Sequence, residues 1–384
     1  MIGWIFGLSA AYAIALGGTT VMPILVLSMS KLAGYDEALA TLVASAELVG
    51  IAVFGLLTPK LALKPSRALA AISLIAVLGG NIASFYVPTP LLLAAARFVT
   101  GLAEGAIFSL VCMSLASRAN AERLWGALSL FGGLAMGAEL VVISLVTQQW
   151  TDVPIFLMLA GFTLAMAPLL WLISSRQMAV VVASEQSKLA GGKMTAAIGA
   201  IFLVYMVQSA EWSVCGFIGE KVGLSTAQVG FYLAISSVAG FLGAVVPATM
   251  HDNAKRLPFV VAGMMLMGVS IYFLFNVFTF SAFVLAQILV NVGFYIVTPF
   301  LTGVVTENDR DGTLMSRVLV VAVLGAAVGT GAAGPIFANA GSSDFAWYCL
   351  APLALAALCA SLVFGHLHRI HRLGSAQLRS EAHD

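Results

Sequence analysis

Residues 91–115 read LLLAAARFVTGLAEGAIFSLVCMSL, an unbroken apolar run interrupted by only two charged residues, Arg97 and Glu104. A helix rises about 1.5 Å per residue, so a run of this length crosses the ~30 Å hydrocarbon core of a bilayer. Apolar and polar positions do not alternate in it, which excludes a barrel strand. A backbone in lipid must satisfy its own hydrogen bonds, so the run reads as a transmembrane helix.

The same reading extends over the whole 384-residue chain, which is 61% hydrophobic and 9% charged. A soluble domain carries roughly 25% charged residues. Twelve runs qualify as spans: Trp4–Leu27, Ala38–Leu57, Ala68–Tyr86, Leu91–Leu115, Leu124–Val146, Ile155–Ile173, Ala196–Phe217, Val229–Pro247, Leu257–Val277, Phe280–Val304, Leu314–Phe337 and Ala346–Phe364. The N-terminal MIGWIFGLSAAYAIALGG has no Lys or Arg before its apolar run, and the run is too long for a signal peptide. It reads as the first span. The net charge of +1 gives no argument for a nucleic-acid partner. The four cysteines, Cys112, Cys215, Cys349 and Cys359, form no CxxC pair and read as buried thiols, with no metal or cofactor implied.

Basic residues fix the orientation. With the N-terminus in the cytoplasm, the cytoplasmic connectors and tail hold 15 of the 18 Lys and Arg, including Lys60, Lys64, Arg118, Arg176, Lys188, Lys255 and Arg310. Only Lys31 and Lys221 fall outside, and Arg97 lies within a span. This asymmetry predicts a multi-pass protein of the inner (cytoplasmic) membrane with both termini in the cytoplasm. The longest connector, Ser174 to Thr195, sits between spans six and seven. The predicted organisation is an all-α integral membrane protein. Residues 1–173 form a six-helix bundle, 174–195 a cytoplasmic linker, 196–365 a second six-helix bundle and 366–384 a cytoplasmic tail.

The halves echo each other. Span two ends GLLTPKLALKPSR (Gly55–Arg67) and span eight ends GAVVPATMHDNAKR (Gly243–Arg256), an offset of 188 residues. Parallel six-helix repeats about a linker characterise one transporter architecture. On this topology the chain resembles the major facilitator superfamily. The stretch Arg97-Phe98-Val99-Thr100-Gly101-Leu102-Ala103-Glu104-Gly105 resembles that family's fourth-helix motif, an Arg followed four residues later by Gly. Pro59 stands where the family's Gly-x-x-x-Asp signature has its Asp. Span five, with Gly126, Gly132, Gly133 and Gly137, lacks the Gly-Pro pair of the family's proton antiporters, while Gly334-Pro335 occurs in span eleven. The resemblance implies two pseudo-symmetric six-helix bundles. Spans one, four, seven and ten would line a central cavity, and spans two, five, eight and eleven would form the interface between halves.

Charge at membrane depth is the main chemical signal. Glu47, Arg97, Glu104, Glu139 and Glu211 lie within spans. A central charge costs roughly 2.5–3.5 kcal/mol on insertion scales, so these residues must face protein or a wet cavity. They read either as structural ion pairs or as functional groups. Burial disfavours the charged form of a carboxyl, which makes Glu104, then Glu139, Glu47 and Glu211, candidates to carry a proton. Arg97 and Glu139 lie at similar depth in their spans, and a pair between them is expected. Arg97 is also the candidate for an anionic group of a solute.

Uncharged polar residues add candidate cavity walls. Tyr205, Gln208 and Trp212 are spaced i, i+3, i+7 in span seven; Gln287, Asn291 and Tyr295 are spaced i, i+4, i+8 in span ten; Ser9, Tyr12 and Thr19 lie in span one. They serve either interhelical hydrogen bonding or a solute site.

The functional expectation is a secondary carrier working by alternating access as a monomer in the bilayer. It would take up a small organic solute with protons, an organic anion with an apolar or aromatic body being preferred. One charge moved across 100 mV supplies about 2.3 kcal/mol. Efflux of drugs or amphipathic metabolites is the alternative. A different class, a non-transporting sensor, scaffold or membrane enzyme, has neither a soluble domain nor a membrane-embedded His in the sequence to support it.

Overall fold

The structure is a computed structural model that describes residues 2–58, 61, 66–87, 89–116, 121–147, 154–173, 191–250, 256–306 and 313–381. The described regular structure is entirely helical. In order, the helices are α1 (Ile2–Thr20), α2 (Met22–Leu32), α3 (Glu37–Leu57), α4 (Arg67–Tyr86), α5 (Pro90–Ala116), α6 (Ala121–Thr147) and α7 (Ile155–Leu170). The second half contains α8 (Gly192–Lys221), α9 (Thr226–Gly240), a 3-10 turn (Phe241–Ala244), α10 (Val245–Thr249), α11 (Arg256–Asn276), α12 (Phe280–Thr306) and α13 (Thr313–Glu381).

Among the described residues, eight helices are long and apolar enough to cross a membrane, or nine with the bent pair α1–α2 taken as one span. Leu130–Val146 and Ile155–Leu170 are shorter apolar helices. With the two arms of α13 taken separately, these helices correspond to the twelve apolar runs of the sequence.

Two spans depart from a plain helix, two more run together, and each case has a local cause. The first span bends by 41° between α1 and α2, next to Pro23, which has no N–H to donate to the preceding turn. The eighth passes through the 3-10 turn just before Pro247, for the same reason. Spans eleven and twelve join in α13 through Gly341, whose φ of 76° lies in the left-handed region. The helical backbone of the last span continues to Glu381, through most of the expected tail. Most of the expected linker (174–190), the turn with Pro59, Lys60 and Lys64, and Arg118, Lys255 and Arg310 lie outside the described residues.

Within the first half, α5 packs on α3 and α4, and α1 packs on α5, α6 and α7. Within the second, α8 packs on α13, and α12 packs on α9 and α11. The halves meet where α3 contacts α13 and α6 contacts α9. α3, α6 and α9 are spans two, five and eight, and α13 carries span eleven, the four spans the resemblance places at the interface between halves. The outside of the bundle is apolar: Ile72, Ile75, Leu91, Leu242 and Leu362 are exposed, as lipid-facing residues should be. Tyr86, Trp171, Trp347 and Tyr348 are exposed near span ends, where aromatic rings favour the interface. The face carrying both termini is called the terminal face below, and the other the distal face.

Candidate functional site

The first constellation lies inside the N-terminal half. Arg97 on α5 is fully buried. Its Nε donates to Glu47 Oε2 of α3 at 3.0 Å, and its Nη1 donates to Asn81 Oδ1 of α4 at 2.6 Å. Nη2 completes an ion pair with the same Glu47 oxygen. The guanidinium also lies over the Phe156 ring of α7, 5.3 Å from its centroid. The expected Arg97–Glu139 pair is therefore corrected to Arg97–Glu47. The cause is packing: α3 and α5 approach so closely that a Cβ on Gly101 would fall on the Glu47 carbonyl oxygen. Glu139 is carried by α6, which packs on α1 and α9 and makes little contact with α5.

Glu104 lies on the Arg97 face of α5, seven residues further along, and is buried. Among the described residues, no conventional hydrogen-bond donor meets the buried Glu47 Oε1 or Glu104 Oε2. Both oxygens of Glu139 are also buried without a partner. The first span meets these groups with two consecutive glycines. A Cβ on Gly18 would overlap Glu47 Oε1, and one on Gly17 would sit 3.0 Å from Glu139 Oε2. Carboxyls from α3 and α6 thus press against the α1 backbone just before its bend.

The second constellation belongs to the C-terminal half. Gln287 Nε2 of α12 donates to Glu211 Oε1 of α8 at 2.6 Å, and both residues are fully buried. Asn291 Nδ2 donates to the Gln287 carbonyl at 2.9 Å and to Ser236 Oγ at 3.4 Å. Glu211 Oε2 and Gln287 Oε1 have no partner among the described residues.

Between the halves stands a wall of rings. Tyr12, Tyr205 and Tyr295 are half-buried. Tyr205 packs edge-on to Phe294, with centroids 5.1 Å apart. Tyr295 meets Phe241 at 4.8 Å, and Tyr12 lies 6.4 Å from Phe108. Gln208 is half-buried, with its Oε1 unpartnered. Trp212, expected on this wall, directs its indole N–H instead to the backbone carbonyls of Thr19 and Thr20, at 3.2 and 3.3 Å.

Sequence reasoning did not single out Asn81 or Phe156. Asn81 carries a readable signal, an amide within an apolar span. Phe156 carries none.

A family model described as Major Facilitator Superfamily matches residues 7–308. No curated protein matches the chain in sequence. Solved structures share its fold. A mutant of the nucleoside transporter NupG is 14% identical, with a TM-score of 0.68 over 95% of this chain and 99% of its own. The human organic anion transporter TETRAN is 12% identical, with a TM-score of 0.69 over 93% and 99%. A bacterial homolog to the human lysosomal transporter Spinster, inward-facing and unoccupied, is 12% identical, with a TM-score of 0.70 over 94% and 95%.

Proposed function

The chain belongs to the Major Facilitator Superfamily, and on that premise we propose that it is a proton-coupled carrier that takes up a small organic solute by alternating access. The observation that carries the reading is the carboxyl cluster. Glu47 pairs with Arg97, Glu139 meets the glycine of α1 next to the one that meets Glu47, and Glu104 is a further buried carboxyl on the Arg97 face of α5. Among the buried described residues of this half, Arg97 is the one cation beside the carboxyls of Glu47, Glu104 and Glu139. Protons are the natural counter-charge for the remainder. Glu104 is the first choice for the coupling group and Glu139 the second. Glu47 is held by Arg97. Glu211 is a second-half candidate, its charge tempered by Gln287.

The ring wall of Tyr12, Tyr205 and Tyr295, with Gln208 and Asn291, is the proposed solute surface. It suits a flat or ring-bearing body with hydrogen-bonding groups. An anionic cargo, the expectation drawn from Arg97, requires Arg97 to give up Glu47. A neutral ring-bearing cargo requires no such exchange, and the geometry favours it. The terminal face is assigned to the cytoplasm from the distribution of basic residues, in the inner membrane and as a monomer.

The test uses purified protein in liposomes that enclose a pH-sensitive dye. Nucleosides, organic acids, sugars and amphipathic cations are added outside in turn. One compound class is expected to acidify the lumen as it enters. Demonstrated solute entry with no change of luminal pH would remove the coupling claim. Luminal alkalinisation as the solute enters, protons leaving in exchange, would turn the reading to antiport and so to efflux.

A further inference from the structure

The bend in the first span leaves two backbone carbonyls without their helical donors. Thr19 O would accept from residue 23, but Pro23 has no N–H. Thr20 O would accept from Ile24, whose N–H turns instead to Val21 O at 3.0 Å. An unsatisfied carbonyl at membrane depth is costly, because lipid supplies no donor. Both carbonyls receive the Trp212 indole N–H, which comes from α8 of the other half.

The contact lies among others that join the halves toward the distal face. Gly216, one turn beyond Trp212, packs against the Pro23 carbonyl. At the rim, Lys31 of α2 pairs with Glu220 of α8 and reaches Thr226 Oγ1 at 3.5 Å. Gly334 N of α13 donates to Thr41 Oγ1 of α3 at 3.2 Å. The Lys31–Glu220 pair is solvent-exposed, and exposed pairs of this kind contribute little. The indole contact is half-buried and answers a specific backbone need.

We propose that Trp212 is a positioning residue of the transport cycle: its indole N–H latches the bend of the first span and holds the distal face closed. The acceptors exist only because the helix is broken at Val21, so the bend and the latch form one device. When the distal face opens, water entering the seam takes over the two carbonyls. When the seam dries, the indole is the donor at hand, and it draws α8 back onto α1 and α2. This role does not depend on the identity of the cargo or of the coupling ion.

Spin labels on Ala33→Cys and Lys221→Cys, both exposed at the distal rim, report the opening by double electron–electron resonance in lipid nanodiscs. Protein without the added pair corrects for the natural cysteines. Loss of one such hydrogen bond in Trp212→Phe, which keeps an aromatic ring, is expected to raise the ratio of long to short distances about fivefold to tenfold. Pro23→Ala, which restores a donor to Thr19 O, is expected to shift the distribution the same way. A Trp212→Phe distribution identical to the parent's overturns the proposal and leaves Trp212 as packing only. If Trp212→Phe does not yield folded protein, an unchanged distribution in Pro23→Ala overturns it.

Discussion

Arg97→Ala is expected to cost about 3–5 kcal/mol of stability, because it strands the Glu47 carboxylate in a site with no other buried cation among the described residues. Glu47 is almost completely buried and leans on Arg97 through two nitrogens. Removing the guanidinium also takes the donor from Asn81 Oδ1. The double change Arg97→Gln with Glu47→Gln removes both charges and is expected to cost less than Arg97→Gln alone, the signature of a directly coupled pair. Thermal unfolding in detergent, followed by size exclusion, reads both effects. An unchanged midpoint for Arg97→Ala would mean that Glu47 finds another partner or is neutral, and the pair would lose its structural role.

The second large effect is expected at Gly18. A Cβ there overlaps Glu47 Oε1, and that carboxyl cannot swing aside because Arg97 holds it. Gly18→Ala must therefore push α1 away from α3, an overpacking cost of about 1–3 kcal/mol. It displaces the backbone one turn from the bend, so transport should fall with it. Gly17→Ala is the control. Its Cβ meets Glu139 Oε2 at 3.0 Å, and the Glu139 carboxyl has no partner to hold it in place. Equal losses of transport and thermal stability in the two alanine variants would contradict the claim that the Glu47 carboxyl is pinned.

The spans were legible because lipid demands long apolar runs and each run announces itself. The breaks were legible only as prolines: Pro23 and Pro247 marked where a helix loses a donor, but not that the chain would bend at Val21 or tighten at 241–244. Partner choice at the site was not legible. Sequence gives the depth of Arg97 and Glu139, which agree, but not the azimuth of one helix about another. That is decided by the close approach of α3 to α5 at Gly101. Trp212 shares a helical face with Tyr205 and Gln208 and so read as cavity wall. Its acceptor is a backbone carbonyl, which no side-chain pattern displays. The clue was Pro23, four residues after Thr19.

The central claim, that a buried carboxyl of the N-terminal half couples solute movement to protons, is tested most directly with Glu104→Gln in liposomes. Two fluxes of a transported solute are compared. One is accumulation driven by an imposed pH gradient; the other is exchange of labelled for unlabelled solute with no gradient. The account predicts that exchange persists, because the moving parts are intact, while gradient-driven accumulation falls to the level of exchange equilibrium. Accumulation in Glu104→Gln equal to that of the parent protein would contradict it and leave Glu104 as a buried structural carboxyl.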